Sequence, residues 1–368
     1  MTLSRGYVLA ILAGLLIALL VGVAVVGSGL EDRSPFAITP IDGSQEPRTT
    51  TSPIEPSDCP GVERPSELRV TELVLPDIDT GPLGRPVIAG CAVWFTSGDN
   101  NGGIHRVDLA TGAVTNVNPA EVMFDIDADG DDLLTLGRPA LLEGAASATL
   151  FRLDPVTGAV LGQIPVDQRA MALRVIDGRA WVGGWRVGLI VYDLADGTVV
   201  ASWPAGEVSV MEVGADAVWT ITSSAQGPAL GRIDRSTLRM TTVPVPRDYN
   251  DIAAVGDRIF VGSQSGTISQ IDSAGAVLST AQISGWTEGS VTLAAEGSSV
   301  WVLPIVQIPA GTQFRLESTE LLRIDAETGR ITDRIEYAAA QPIDLWATDG
   351  NLWLYEAHRP VRRFELPR

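Results

Sequence analysis

The sequence contains no lysine: all 26 of its basic residues are arginine. It holds only two cysteines and two histidines in 368 residues, and aromatic residues make up 6%. Two cysteines exclude a disulfide-dense scaffold and a four-cysteine zinc site. Two histidines exclude a His-rich metal centre. Positive charge is scarce overall, with 45 acids against 26 arginines and a formal charge of −19. A nucleic-acid face, or a face for an anionic bilayer, needs clustered positive charge, so this balance argues against both. With 38 Gly, 23 Pro and 19% charged residues, the chain is neither a coiled coil nor a helical bundle. Arginine in place of lysine, with abundant Ala, Val and Gly, is the coding bias of a GC-rich bacterial genome.

One long hydrophobic run is present. Residues 7–26 are apolar and uncharged over 20 positions, about 30 Å as a helix and enough to cross a bilayer core. Arg5 precedes the run, and Glu31 and Asp32 follow it. The positive-inside bias then predicts a cytoplasmic stub (1–6), a transmembrane signal anchor (7–27) and an extracytoplasmic remainder, placing the protein at the cell membrane as a single-pass chain. A cleaved signal peptide is the rival reading, since Gly27, Ser28 and Gly29 are small enough for a peptidase site. Residues 28–66 hold seven prolines among Ser, Thr, Gly, Asp and Glu. Such a segment buries too little apolar surface to offset chain entropy and reads as an extended linker.

Residues 67–368 repeat. Asp108, Asp154, Asp193, Asp234, Asp272 and Asp325 each follow a short strand pattern, as in HRVDLATG (105–112), FRLDPVTG (151–158) and LRIDAETG (322–329). Phe364 takes the same place in a seventh copy. Upstream of each stands a bulky apolar strand: AVWF (92–95), DLLTL (132–136), RAWVG (179–183), AVWTI (217–221), RIFVG (258–262), SVWVL (299–303) and NLWLY (351–355). Four short strands per copy at a period of about 43 residues predict an all-β, seven-bladed β-propeller. The seventh copy ends after its third strand, while residues 68–76 have the pattern of an outer strand. This N-terminal strand is therefore expected to complete the last blade and to leave no open edge at the seam.

Most of the conspicuous residues have structural readings. The D-x-x-T-G boxes (Asp108 with Gly112, Asp154 with Gly158, Asp325 with Gly329) read as hairpin turns of three residues, with glycine in the left-handed conformation. The series Trp94, Trp181, Trp219, Phe260, Trp301 and Trp353 recurs once per blade and reads as inter-blade packing. Cys59 and Cys91, in an exported chain, read as a disulfide clamping the linker beside the seam.

Three readings concern function. Asp125, Asp127 and Asp129 with Gly130 spell D-x-D-x-D-G, the opening of a calcium loop, which makes Ca²⁺ the candidate ion. Leu136 stands where position 12 of such a loop needs Glu, and the repeat register puts Asp125 in an inner strand. Inner strands line a propeller's channel. Counting back from the bulky aromatic gives Arg85, Asp125, Ala172, Ser209, Asp251, Thr292 and Asp344, with a one-residue insertion for the fourth blade. Arg85, Asp125, Asp251 and Asp344 are the ligand-binding candidates, set against a solvated wall in which Arg85 pairs with Asp344 or Asp125. His105 lies on a third strand and His358 in a seventh-blade loop, and neither has a triad partner in sequence, so no catalytic residue is assigned.

The repeats GADAVWTI…GRIDRSTLRMTTVPV, RIFVG…SQIDSAGAVLSTAQI and NLWLYEAHRPVRRFEL resemble bacterial seven-bladed propellers of the YVTN, virginiamycin B lyase-like and PQQ-like repeat group over about residues 67–368. The quinoprotein members carry Trp four residues past the box glycine. Asn116, Gly162, Ala201, Ser279 and Asp333 stand there in this chain, so the resemblance does not extend to PQQ. No cofactor is expected.

Taken together, these features point to a monomeric, membrane-tethered propeller that binds an envelope or membrane protein, a glycan or a peptide without catalysis. The long excursions at 137–148 and 304–319 would build the binding face. The alternative is a metal-assisted hydrolase or lyase at the channel, using Asp125, Asp251 and Asp344.

Overall fold

A computed structural model describes residues 68–73, 84–96, 103–117, 122–130, 132–138, 148–166, 170–184, 188–204, 207–224, 227–243, 245, 248–286, 289–310, 313–348, 350–356 and 361–366. The stub, the apolar run at 7–26, most of the linker, Cys59 and His358 lie outside the described residues. Among the described residues no helix is long and apolar enough to cross a membrane.

The described chain forms 28 strands in seven four-stranded antiparallel sheets. The first strand, β1 (Arg69–Leu73), stands apart from the blade that follows it in sequence. Blade one is β2 (Val87–Ala89), β3 (Ala92–Thr96), β4 (Ile104–Asp108) and β5 (Val114–Val117). Blade two is β6 (Val122–Asp129), β7 (Asp132–Arg138), β8 (Ala148–Leu153) and β9 (Val160–Val166). Blade three is β10 (Ala170–Ile176), β11 (Arg179–Gly184), β12 (Gly188–Asp193) and β13 (Val199–Trp203). Blade four is β14 (Glu207–Val213), β15 (Ala217–Ser224), β16 (Gly227–Asp234) and β17 (Met240–Val243). Blade five is β18 (Tyr249–Val255), β19 (Arg258–Ser263), β20 (Thr267–Ile271) and β21 (Val277–Gln282). Blade six is β22 (Gly289–Glu296), β23 (Ser299–Ala310), β24 (Gln313–Asp325) and β25 (Ile331–Ala340). Blade seven takes β26 (Pro342–Thr348), β27 (Asn351–Glu356) and β28 (Val361–Glu365) from the C-terminal end, and β1 adds to β28 as its outer strand. Arg69 pairs with Glu365 and Leu73 with Val361, so the ring closes as the sequence pattern requires.

Seven apolar clusters fill the joints, one between each pair of neighbouring blades. Trp94, Trp181, Trp219, Phe260, Trp301 and Trp353 each sit in a different cluster and are buried, and Leu134 holds the equivalent place in blade two. In blades one, four, six and seven an arginine pairs directly across from the tryptophan, and its guanidinium lies 5.4–5.9 Å from the ring.

Backbone bonds sew the two kinds of hairpin together on one face. Leu109 donates to the Cys91 carbonyl, Leu194 to Gly178, Ala326 to Ser298 and Leu366 to Gly350, at 2.8–3.1 Å. This is the lower face, and the inner strands begin at the upper one. In the Asp turns, Asp108 accepts the N–H groups of Ala110 and Thr111 and the Thr111 hydroxyl, while Gly112 at φ +71° donates to the Asp108 carbonyl. The turn corrects the three-residue expectation: four residues separate Asp108 from its partner Ala113. The seventh copy is also corrected by one position. Asn351 pairs with Glu365 as Ser299 pairs with Asp325, so Glu365 and not Phe364 stands at the Asp place. Phe364 is buried in the joint with blade six.

The expected excursion at 304–319 is not a loop. β23 and β24 continue as a paired ribbon from Val306 opposite Glu317 to Ala310 opposite Gln313, and β25 reaches it through Ser318 and Ala339. The result is a three-stranded flap at the upper end of blade six. Its counterpart at 139–147 lies outside the described residues.

Candidate functional site

Each inner strand presents alternate residues to the central channel, so a ring at one position is followed by a second ring two residues on. In the first ring the register sets Asp125 opposite Leu136, Ala172 opposite Gly183, Asp251 opposite Gly262, Thr292 opposite Leu303 and Asp344 opposite Tyr355. Blade four departs from expectation. A β-bulge lies between Val208 and Val210, so Ser209 is the extra residue and Val210 takes the ring position opposite Ile221. The same bulge precedes the ring position in blades two, three, five and seven. A bulge adds one residue without moving the strand that follows it, so no insertion is needed.

The D-x-D-x-D run lies on β6, with Gly130 at the hairpin turn (φ +60°). Its three carboxylates reach the neighbouring blade's inner strand. Asp125 Oδ2 accepts the Leu173 N–H at 2.8 Å, Asp127 Oδ2 that of Val175 at 2.7 Å and Asp129 Oδ2 that of Asp177 at 2.9 Å. The inner edge of a blade has no fifth strand to pair with, so its alternate N–H groups need acceptors. The aspartates at period two supply them. The run thus clasps blade two to blade three on a strand, where the sequence reading also allowed a calcium loop.

The same device recurs in part. Asp251 Oδ1 takes its neighbour Ile252's N–H at 2.9 Å and Oδ2 takes that of Leu293 in blade six at 2.7 Å. Glu296 accepts the Gly350 N–H of blade seven. Asp344 Oδ1 takes the Leu345 N–H at 2.8 Å. In blade one, however, the residue equivalent to Leu173 and Leu293 is Pro86, which has no N–H to offer.

The second ring contains what the sequence reading missed. Arg174 on β10 and Glu212 on β14 face the channel, and Arg85 reaches Glu212 at 2.9 Å. Arg174 meets the same Glu212 at 3.4 Å and Asp125 at 3.5 Å. Arg85 therefore pairs with blade four and not with Asp344 or Asp125, correcting the expected neighbour pairing. This Arg85–Glu212–Arg174 bridge lines two cavities. The upper one, about 220 Å³, is walled by Phe124, Met171, Val210 and Trp346 and contains Asp125, Asp251 and Asp344. The lower one, about 480 Å³, contains Asp127, Asp129, Asp177 and Arg235. Counting two residues past the first ring identifies both Arg174 and Glu212.

Burial pushes the carboxyls of this channel upward. Asp344 rises to about 7, with the Leu345 N–H and the Arg85 charge opposing the rise. Asp251 rises well above the usual range, first through burial and then through the charge of Asp344. Asp125 rises to about 6 through burial, against the pull of Arg174 and the Leu173 N–H. Asp127 is raised by burial too. Three carboxyls and a guanidinium-lined floor in one chamber can hold a cationic or hydrogen-bond-donating ligand.

His105 lies on β4, away from the channel, buried and bonded through Nδ1 to Asn116 Oδ1 at 2.8 Å. Cys91 stands at the lower turn of blade one with φ +57° and is not a free thiol.

No family model matches the sequence, and no curated protein matches it. Solved structures do. Virginiamycin B lyase from Staphylococcus aureus is 18% identical with a TM-score of 0.59, covering 82% of this chain and 100% of that one. A catalytically inactive histidine-to-alanine variant of that lyase with quinupristin is also 18% identical, with a TM-score of 0.57 and the same coverage. The computationally designed Ika8 protein is 14% identical with a TM-score of 0.54, covering 80% of this chain and 99% of that one. At these identities the likeness is one of fold, the seven-bladed propeller.

Proposed function

We propose that this protein is a membrane-tethered, extracytoplasmic propeller that binds an envelope protein, or a peptide or glycan displayed there, without catalysing a reaction. One observation carries the choice of face. β1 enters blade seven at the lower face, because Arg69 pairs with Glu365 beside the Thr348–Asn351 turn. The chamber of Asp251 and Asp344 and the flap of blade six both lie at the upper end. A chain attached through its N-terminal side would present the chamber and flap outward, away from its own tether. The acidic charge fits a partner with basic groups. A Cys59–Cys91 disulfide, closing the linker against the lower turn of blade one, belongs to the same proposal.

The test replaces residues 306–317 with a two-residue turn. The blade pairs Val302 with Leu322 below the flap, so the melting temperature should stay close to that of the parent while a co-purifying partner is lost. A partner that stays bound would remove the flap from the binding face.

The alternative, a metal-assisted hydrolase or lyase, draws on Asp125, Asp251 and Asp344 meeting in one chamber. It requires a stoichiometric divalent ion after purification that is lost in Asp251→Ala. A metal-free preparation whose melting temperature ignores added Ca²⁺ would count against it.

A further inference from the structure

The upper chamber has an apolar rim and an unbalanced floor. Its two arginines are accounted for, since Glu212 contacts both and Asp125 contacts Arg174. Asp251 and Asp344 make no ion pair within contact distance among the described residues. Asp344 also sits in a slot whose equivalents, Asp125 and Asp251, each receive an N–H from the next blade. Pro86 withholds that donor, and the neighbouring Leu345 N–H, the Arg85 charge and the Trp346 side chain are what favour ionised Asp344 instead. Above these carboxyls the bulge residues Phe124 and Met171 line the opening, with Met171 at 43% exposure. A volume of about 220 Å³ is that of roughly seven waters, or of one long side chain.

We propose that this chamber is the socket for a lysine or arginine side chain of a protein partner docked on the upper face. The aliphatic stem would lie along Phe124, Met171 and Trp346, and the charged tip would sit between Asp251 and Asp344, supplying Asp344 with the donor that Pro86 lacks. Long basic side chains bury their stems and keep their heads paired in this way. The net charge of −19 favours approach of such a partner. This proposal rests on the reading of the upper face as the binding face.

The test titrates the full-length protein with N-acetyl-arginine amide and with its uncharged isostere, N-acetyl-citrulline amide, by calorimetry. The arginine probe should bind roughly tenfold or more tightly than citrulline, and Asp251→Asn with Asp344→Asn should remove that preference. If the double variant is poorly folded, Met171→Arg serves instead, since a guanidinium at the rim should compete with the probe and weaken it about tenfold while the melting temperature holds. Equal binding of the two probes, no binding of either, or full retention of arginine binding in both variants would overturn the socket. A partner that still docks on the upper face of the double variant would overturn the socket and leave the binding-face reading standing.

Discussion

Asp125 crosses the joint between blades two and three to accept the backbone N–H of Leu173 at 2.8 Å. Asp127 and Asp129 repeat the contact with Val175 and Asp177 two residues further along each strand. The three carboxylates of this run thus form an edge closure in place of a missing strand. Asp127→Ala leaves the Val175 N–H without its acceptor and should destabilise the ring by about 1–3 kcal/mol. Asp127→Asn, which keeps an oxygen acceptor, should lose less. Denaturant unfolding of the three proteins checks this, and equal stability for all three would contradict the clasp.

Glu212 holds two guanidinium groups in the channel. Glu212→Ala leaves Arg85 without its ion-pair partner and Arg174 with Asp125 alone, and should cost about 1–3 kcal/mol. Removing Arg85 as well should recover part of that loss. A double-mutant cycle in denaturant measures the coupling, and strictly additive effects would mean that the two do not act as a pair.

The raised carboxyls fix the sign of a pH effect. Asp344 is pushed up to about 7 and Asp125 to about 6, whereas unfolded aspartate titrates near 3.9. Between those values the folded state holds protons that the unfolded state has released. The stability contributed by these groups is therefore fully present below the unfolded value and is lost as pH rises through the folded ones. The melting temperature should fall from about pH 5 to about pH 8, and Asp344→Asn should flatten the slope and raise the melting temperature by a few degrees at the alkaline end. An unchanged slope in the variant would contradict the assignment.

The seam depends on a strand remote in sequence. β1 covers the edge of β28, and Arg362 on β28 meets Glu72 of β1 at 3.6 Å and the buried Glu356 at 3.2 Å. A chain starting after Leu73 should lose cooperative unfolding and aggregate through the bared edge. A chain starting at Leu68 should melt as a folded ring in light scattering and calorimetry. Two indistinguishable melts would rule out the closure.

Much of the fold was legible in the sequence because a propeller writes its period into the chain: the Asp turns and the aromatic series mark the same two strands in every blade. The closing strand was legible because the seventh copy is one strand short. The misplacement at Ser209 came from an insertion that blade four does not need, since the offset from Trp219 that holds in the other blades gives Val210. The flap of blade six does alternate, with Ile308, Phe314 and Leu316 against Gln307, Arg315 and Glu317, but its length beyond the repeat period reads as a loop. The Arg85–Glu212–Arg174 bridge was missed because Arg174 and Glu212 sit one ring further along than the positions considered. The D-x-D-x-D run stayed open in the sequence because a calcium loop and an edge clasp both place carboxylates at alternate positions, and the N–H groups of the neighbouring strand that three of its oxygens accept are not written beside it.

Binding through the upper face is the feature on which the proposed function turns. It is tested by placing a photo-crosslinking residue singly at Met171 and Ile308, on the rim and flap, and at Asp196 and Thr328, on lower turns, in the full-length protein in cells. A discrete crosslinked species from Met171 and Ile308 but not from Asp196 or Thr328 is the predicted result. Crosslinks confined to the lower positions would contradict the account.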